Sequence, residues 1–157
     1  MKGYKIMIKI LFICHGNICR SPMAEFILKD MTSKKGIAQL FTIASCATSR
    51  EEIGNPVHHG ARKKLKERGI IPDGKRAVQL TKEDYNRYDY LIGMDSRNIT
   101  NIMKMLGGDP EGKVYRLLDF TERSGDIADP WYTGDFDETY CDICEGCEGL
   151  LAHLGYE

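Results

Sequence analysis

Cys14 and Arg20 stand six positions apart in ILFICHGNICRSPMAE, residues 10–25. The pair sets a nucleophilic sulfur beside a guanidinium fork, and such a fork grips phosphate-like oxyanions. Residues 10–13 are apolar and read as a buried strand. Gly16 is expected to let the backbone turn sharply. Ser21 and Pro22 carry helix start signals. A loop that closes on a helix N-terminus turns N–H groups inward, and the helix dipole adds partial positive charge. His15, Gly16, Asn17, Ile18, Cys19, Arg20 and Ser21 would then cradle a phosphate-sized anion, in a field that favours thiolate at Cys14. That thiolate would attack phosphorus and form a phosphocysteine, while Arg20 would grip equatorial oxygens more tightly as charge spreads. Ser21 could donate to the sulfur, cap the helix, or do both. Asn17 suits a left-handed turn, and its amide could brace the loop from behind. With six Cys in the chain the spacing alone arises readily by chance. A buried structural Cys14 is the plain alternative, but it leaves Arg20 and the Gly16–Asn17 pair without a purpose.

Hydrolysis of a phosphomonoester also needs a proton for the leaving oxygen. The candidate donor is Asp129, in Ile127-Ala128-Asp129-Pro130-Trp131-Tyr132. Pro130 stiffens the segment, and Trp131 and Tyr132 would form aromatic walls for an aromatic substrate. An ordinary Asp-Pro turn explains the same residues if they are taken alone. Cys19 shares the loop with Cys14, so the two thiols could form a reversible disulfide; simple packing is the other reading. Cys141, Cys144 and Cys147 have a spacing known from metal and cluster ligation. A fourth ligand is not nearby, and a stripe of a core helix explains them better. No metal and no cofactor are expected. His58 and His59 read as surface residues.

The elements that must position these groups alternate. Strands are expected over 6–13, 40–44, 88–92 and 114–118, and helices over 21–34, 56–68, 94–106 and 136–154. Alternation of this kind argues for an α/β fold, a parallel sheet with helices on both faces. Ligands bind beyond the carboxyl ends of such strands, and Cys14 sits at one of them. A length of 157 residues suits one domain, 1–157, with one substantial core. The formal net charge of −1 implies no general attraction to nucleic acid. No Lys or Arg follows Arg123, and the acidic residues beyond it read mostly as a solvated helix face. No apolar run approaches the roughly 18 residues of a membrane span. Lys9 interrupts the N-terminal apolar stretch, which lacks a small-residue cleavage site, so it reads as a core strand rather than a signal peptide. Reduced thiols and a cytoplasmic location are expected.

With these residues in place the chain resembles the low-molecular-weight protein tyrosine phosphatases over nearly its whole length. The resemblance rests on CHGNICRSPMAE, on Ser45-Cys46-Ala47-Thr48-Ser49 with Ile53-Gly54-Asn55-Pro56, and on Gln79 to Asp84. It continues through Asp89-Tyr90, Met94-Asp95, Asp129 to Tyr132, and Phe136 to Tyr140. It implies a single-domain three-layer sandwich on a four-stranded parallel sheet. It also implies metal-free catalysis, with Cys14 as nucleophile, Arg20 as phosphate clamp and Asp129 as acid. Asn17, Ser21 and Ser45 are implied as a bracing network. The implied substrate is a phosphorylated protein or peptide carrying phosphotyrosine, or a small aryl phosphate, with inorganic phosphate as product and inhibitor. Three positions depart from the family pattern. Lys75 and Val78 stand where many members carry His and Arg, so Lys75 is expected to weaken the network or extend to solvent. Glu51 replaces a frequent rim aromatic, which would lower phosphotyrosine affinity or favour basic flanking sequence, and His15 could line the same rim. Relatives with this cradle include protein-arginine phosphatases, arsenate reductases and phosphocysteine carriers. Ile18, where the arginine phosphatases tend to carry Thr, fits beside a phenyl ring. The absence of Cys between Cys46 and Cys141 argues against arsenate reduction. A carrier would not need Asp129.

Overall fold

A computed structural model describes residues 7–72 and 74–157. Strand β1 (Ile8–Cys14) is central in a four-stranded sheet with β2 (Phe41–Ala47), β3 (Tyr90–Gly93) and β4 (Val114–Arg116). The order is β2–β1–β3–β4 and every pairing is parallel. Side chains of β1 alternate between faces, as a strand requires. Ile10, Phe12 and Cys14 join a core with Met23, Ala24, Ile27 and Leu28 of helix α1 (Arg20–Lys34). Ala61 and Leu65 of α2 (His59–Glu67) enter the same core, with Ile143, Cys147, Leu150 and Leu151 of the last helix. Leu11 and Ile13 point the other way, toward Tyr85 of α3 (Asp84–Arg87) and Ile102 of α4 (Ser96–Leu106). The result is the three-layer α/β sandwich. One-turn α5 (Pro130–Thr133) and long α6 (Phe136–His153) complete the chain.

The sheet places the site. β2 flanks β1 on one side and β3 on the other, so the chain runs from β1 outward to β2 and then back across β1 to β3. A crevice opens where such strand order reverses. Cys14 ends β1, aligned with Ala47 of β2, and Asp95 follows β3 across the crevice.

Several expected boundaries move. β1 starts at Ile8 and includes Cys14, and residue 6 of the expected strand lies outside the described residues. Leu40 closes a short 3₁₀ turn, whereas β2 runs three residues further than expected, through Ser45, Cys46 and Ala47. Those small residues lack the apolar run of a core strand but pair with Phe12, Ile13 and Cys14. α2 excludes Pro56, which bridges to Arg76, and ends before Arg68. β3 begins at Tyr90. α4 begins only at Ser96, because Asp95 accepts from the Asn98 N–H in a reciprocal capping box. The fourth strand stops at Arg116, where a 3₁₀ turn takes over, and Leu154 caps α6. The cysteine stripe of α6 is only partly core: Cys147 is buried, Cys144 half-buried and Cys141 exposed. Steps of three residues drift around a 3.6-residue turn, so the stripe winds out of the core. Among the described residues, no helix is long and apolar enough to cross a membrane, and no group of three His, Cys, Asp or Glu could hold a metal ion.

Candidate active site

Cys14 is 4% exposed at the end of β1, beneath a loop that runs directly into α1. Its Sγ lies 3.3 Å from the Asn17 amide nitrogen and 3.4 Å from that of Ser21, each donating, and 3.0 Å from Ser21 Oγ. Asn17 makes the sharp turn with φ of 59°. Gly16, expected to do so, has no left-handed φ; a Cβ there would instead lie 3.3 Å from Glu52 Cγ. Ser21 is not the N-cap either. Cys19 holds that position without a side-chain cap bond, and the Ser21 hydroxyl turns inward.

The inward groups form a chain whose proton directions can be assigned. Asn17 Nδ2 donates to Ser21 Oγ at 2.7 Å and to Ser45 Oγ at 3.0 Å, and Asn17 Oδ1 accepts from the Val78 N–H at 3.1 Å. Ser45 passes its own hydrogen to Glu25 Oε1 at 2.6 Å. Ser21 Oγ accepts from Asn17, so its hydrogen is free for Cys14 Sγ, with the Cys46 carbonyl a longer option at 3.4 Å. Glu25 is 5% exposed and anchors the chain, paired with Lys29 at 2.6 Å. Lys75 does not extend to solvent. Its Nζ donates to the Ser45 carbonyl at 2.8 Å and lies 3.8 Å from Glu25 Oε1. Burial lowers its pKa, opposed by Glu25. Val78 contributes through its main chain, which any residue but Pro at that position supplies.

Arg20 is 2% exposed. Nη1 donates to Asp95 Oδ2 at 2.7 Å and to the Ile127 carbonyl at 2.8 Å, and Nη2 reaches Asp129 Oδ2 at 3.4 Å. Burial opposes its charge, but Cys14, Asp95 and Asp129 outweigh burial and raise its pKa. With both Nη1 hydrogens committed, the Nε–Nη2 edge is the fork left for an oxyanion.

Asp129 opens α5. Oδ1 accepts from the Trp131 N–H at 3.0 Å, which leaves Oδ2 toward Arg20. Cys14, Arg20, Asp129, Ile18 and Cys19 line one pocket with His15, Glu51, Trp131 and Tyr132. Asn17, Ser21 and Ser45 lie buried and outside that lining. His15 Nε2 pairs with Glu51 Oε1 at 3.2 Å on the rim. Trp131 is 57% and Tyr132 81% exposed. Burial pushes the Cys19 thiol up to about 12, helped by Cys14 and Asp129.

Four participants were missed in the sequence: Glu25, Asp95, the Ile127 carbonyl and Glu52, which also lines the pocket. Asp95 had a readable signal, since Asp before a helix with Asn three places on is a cap pattern. Its second bond to Arg20 had none. His58 is no plain surface residue. Its Nδ1 accepts from the Gly60 N–H at 3.0 Å, and its ring stacks on Phe136 with centroids 5.4 Å apart.

The family model described as "Low molecular weight phosphotyrosine protein phosphatase" matches residues 9–157. The chain is 43% identical over 153 residues to the low molecular weight protein-tyrosine-phosphatase YfkJ of Bacillus subtilis, covering 96% of this chain and 98% of that one. The crystal structure of YfkJ superposes with a TM-score of 0.93 at 42% identity, covering 98% of each chain. That of SP-PTP from Streptococcus pyogenes, a low molecular weight protein tyrosine phosphatase, gives 0.84 at 44% identity, covering 94% of this chain and 93% of that one.

Proposed function

This chain belongs to the low molecular weight phosphotyrosine protein phosphatase family, and we propose that residues 1–157 act as one catalytic domain in which Cys14, Arg20 and Asp129 hydrolyse phosphotyrosine in proteins or peptides. The observation that carries the assignment is one pocket holding a donor-surrounded sulfur, a buried guanidinium and a carboxylate 3.4 Å from that guanidinium.

The Cys14 thiolate attacks phosphorus in line with the ester oxygen. Loop N–H groups and the Nε–Nη2 edge of Arg20 hold the equatorial oxygens as charge spreads in the transition state. Asp129 gives its proton to the departing phenolic oxygen, leaving phosphocysteine and a carboxylate. That carboxylate then takes a proton from water as the water attacks phosphorus. Inorganic phosphate leaves, and the Cys14 thiolate is restored. The Ser21 hydrogen stabilises the departing thiolate in this second step. Inorganic phosphate, as product, also competes for the cradle. Trp131, Tyr132 and Ile18 favour a flat aryl group, while Glu51 and His15 meet residues flanking the phosphotyrosine. Cys19, as a thiol, can capture an oxidised Cys14: the sulfenic acid and the thiol give a disulfide and water. A cytoplasmic location fits this reduced-thiol chemistry.

The test compares kcat/KM on matched phosphotyrosine and phosphoarginine peptides, with acid quenching to trap phosphocysteine. Preference for the phosphotyrosine peptide and a trapped intermediate on Cys14 are expected. Preference for phosphoarginine would overturn the substrate assignment, and stable phosphocysteine without turnover would make the chain a carrier.

A further inference from the structure

Trp131 forms an aromatic wall of the pocket yet is mostly exposed, on a helix of a single turn. An exposed indole on so short an element needs something to hold it. Among the described residues its one ring contact is His58, edge to face, with centroids 5.7 Å apart at 77°. Such edge contacts are favoured by the ring quadrupoles.

His58 is itself fixed from four sides, one of them a stack on the His59 ring with centroids 4.3 Å apart. Its N–H donates to the Ile18 carbonyl of the cradle at 2.8 Å. Its Nδ1 caps α2 through the Gly60 N–H, and its ring lies nearly parallel to Phe136 at 17°. Phe136 in turn packs against Ile18, Cys19 and Ala77 beneath the cradle. Gly60 makes room for this stack, because a Cβ there would lie 2.5 Å from the Phe136 ring. A glycine in the first turn of a helix costs stability relative to alanine, and here that cost is matched by a ring that no side chain would admit.

We propose that His58 is a positioning residue for the leaving-group wall: stacked on Phe136, it seats Trp131 and so ties the acid loop to the underside of the phosphate cradle. It touches no reacting atom. It acts through Trp131, whose main-chain N–H donates to Asp129 Oδ1. The proposal rests on the reading of Trp131 as the wall that meets the aryl group.

Trp131 is the single Trp of the chain, so its emission reports its own seat. Two variants separate the roles of His58. His58→Asn keeps a good helix cap and removes the ring; His58→Phe keeps a ring and removes the cap. In His58→Asn we expect red-shifted Trp131 emission, greater quenching by iodide, and KM for phenyl phosphate raised about two- to tenfold. The change in kcat should be smaller, the pattern of lost binding rather than lost chemistry. Competitive inhibition by inorganic phosphate should stay unchanged, because phosphate meets only the cradle. His58→Phe should restore both emission and KM. Gly60→Ala, which displaces Phe136, should reproduce the spectral change with His58 intact.

Wild-type emission and KM in His58→Asn would overturn the proposal. So would equal impairment in His58→Asn and His58→Phe, or parallel weakening of phenyl phosphate and inorganic phosphate. If His58→Asn fails to fold, His58→Phe and Gly60→Ala decide the matter. If the wild-type protein does not hydrolyse phenyl phosphate, the phosphatase reading fails, and the emission measurements still decide whether His58 seats Trp131.

Discussion

The cradle and the acid loop face each other across one pocket and are held by different means. Cys14, Asn17, Arg20, Ser21 and Ser45 are each at most 4% exposed; all but Arg20 are joined by a chain of hydrogen bonds ending on Glu25, and Arg20 is held by Asp95 and the Ile127 carbonyl. Trp131 and Tyr132 are 57% and 81% exposed, on one turn of helix. In the proposed mechanism the buried side meets the phosphoryl group, which every phosphoester presents alike, and preorganised donors there are worth most. In the same mechanism the exposed side meets the leaving group, which differs between substrates. A buried half and an exposed half would then correspond to the constant and variable parts of the reaction.

Breaking the buried side should have the largest effect. Cys14→Ser is expected to lower kcat by about 10⁴-fold or more while the circular dichroism melting curve is retained. Appreciable turnover in this variant would remove the nucleophile from the comparison. Asp129→Asn should cost about 10²- to 10⁴-fold on phenyl phosphate and far less on nitrophenyl phosphate, whose leaving group needs little protonation. Equal losses on both esters would argue against Asp129 as the acid.

A third experiment sets the halves against each other in stability. Asn17→Ala strips partners from Ser21, Ser45 and the Val78 N–H, at about 1–3 kcal/mol for each buried group left unpaired. Trp131→Ala should stay within about 0.5 kcal/mol, as for other exposed positions. Urea midpoints at matched m-values read the difference directly, and similar losses would mean the two halves are equally rigid.

The smallest effect concerns pH. Burial, reinforced by His59, lowers the His58 pKa below its ordinary value of 6.5. The folded protein thus keeps His58 neutral where the unfolded chain would take up a proton. The contribution of its cap is present above about pH 6.5 and is lost as pH falls through the folded value. An NMR titration of His58 should give a midpoint below 6.5, and a midpoint above it would reverse the sign.

Much of the buried half could be read in the chain. The apolar run before Cys14, the left-handed tolerance of Asn17 and the Ser-Pro after Arg20 are local signals of a loop closing on a helix. What could not be read is what arrives from afar. Asp95 looks like an ordinary helix cap, and nothing local says that its second oxygen holds Arg20. Lys75 looked like a replacement that weakens the network or faces solvent, because its partner is a main-chain carbonyl, which carries no sequence label. β2 was cut short for a similar reason: Ser45 to Ala47 are buried without being an apolar run, because their small size serves the site. On the exposed half, Asp129 and its aromatics were visible as types. The seat of Trp131 on His58 was not, since ring stacking between distant segments leaves no periodicity.

The partners of Arg20 have a consequence for how the enzyme comes into being. Asp95, Ile127 and Asp129 lie 75, 107 and 109 positions along the chain. Contacts across such separations form late, because loop closure precedes the gain they bring. A growing chain that has not yet released Asp129 has sulfur and guanidinium side by side but nothing to hold the guanidinium still. Phosphatase activity should therefore appear abruptly once Asp129 has emerged rather than build up with length, so that a chain truncated before Asp129 strips no phosphate.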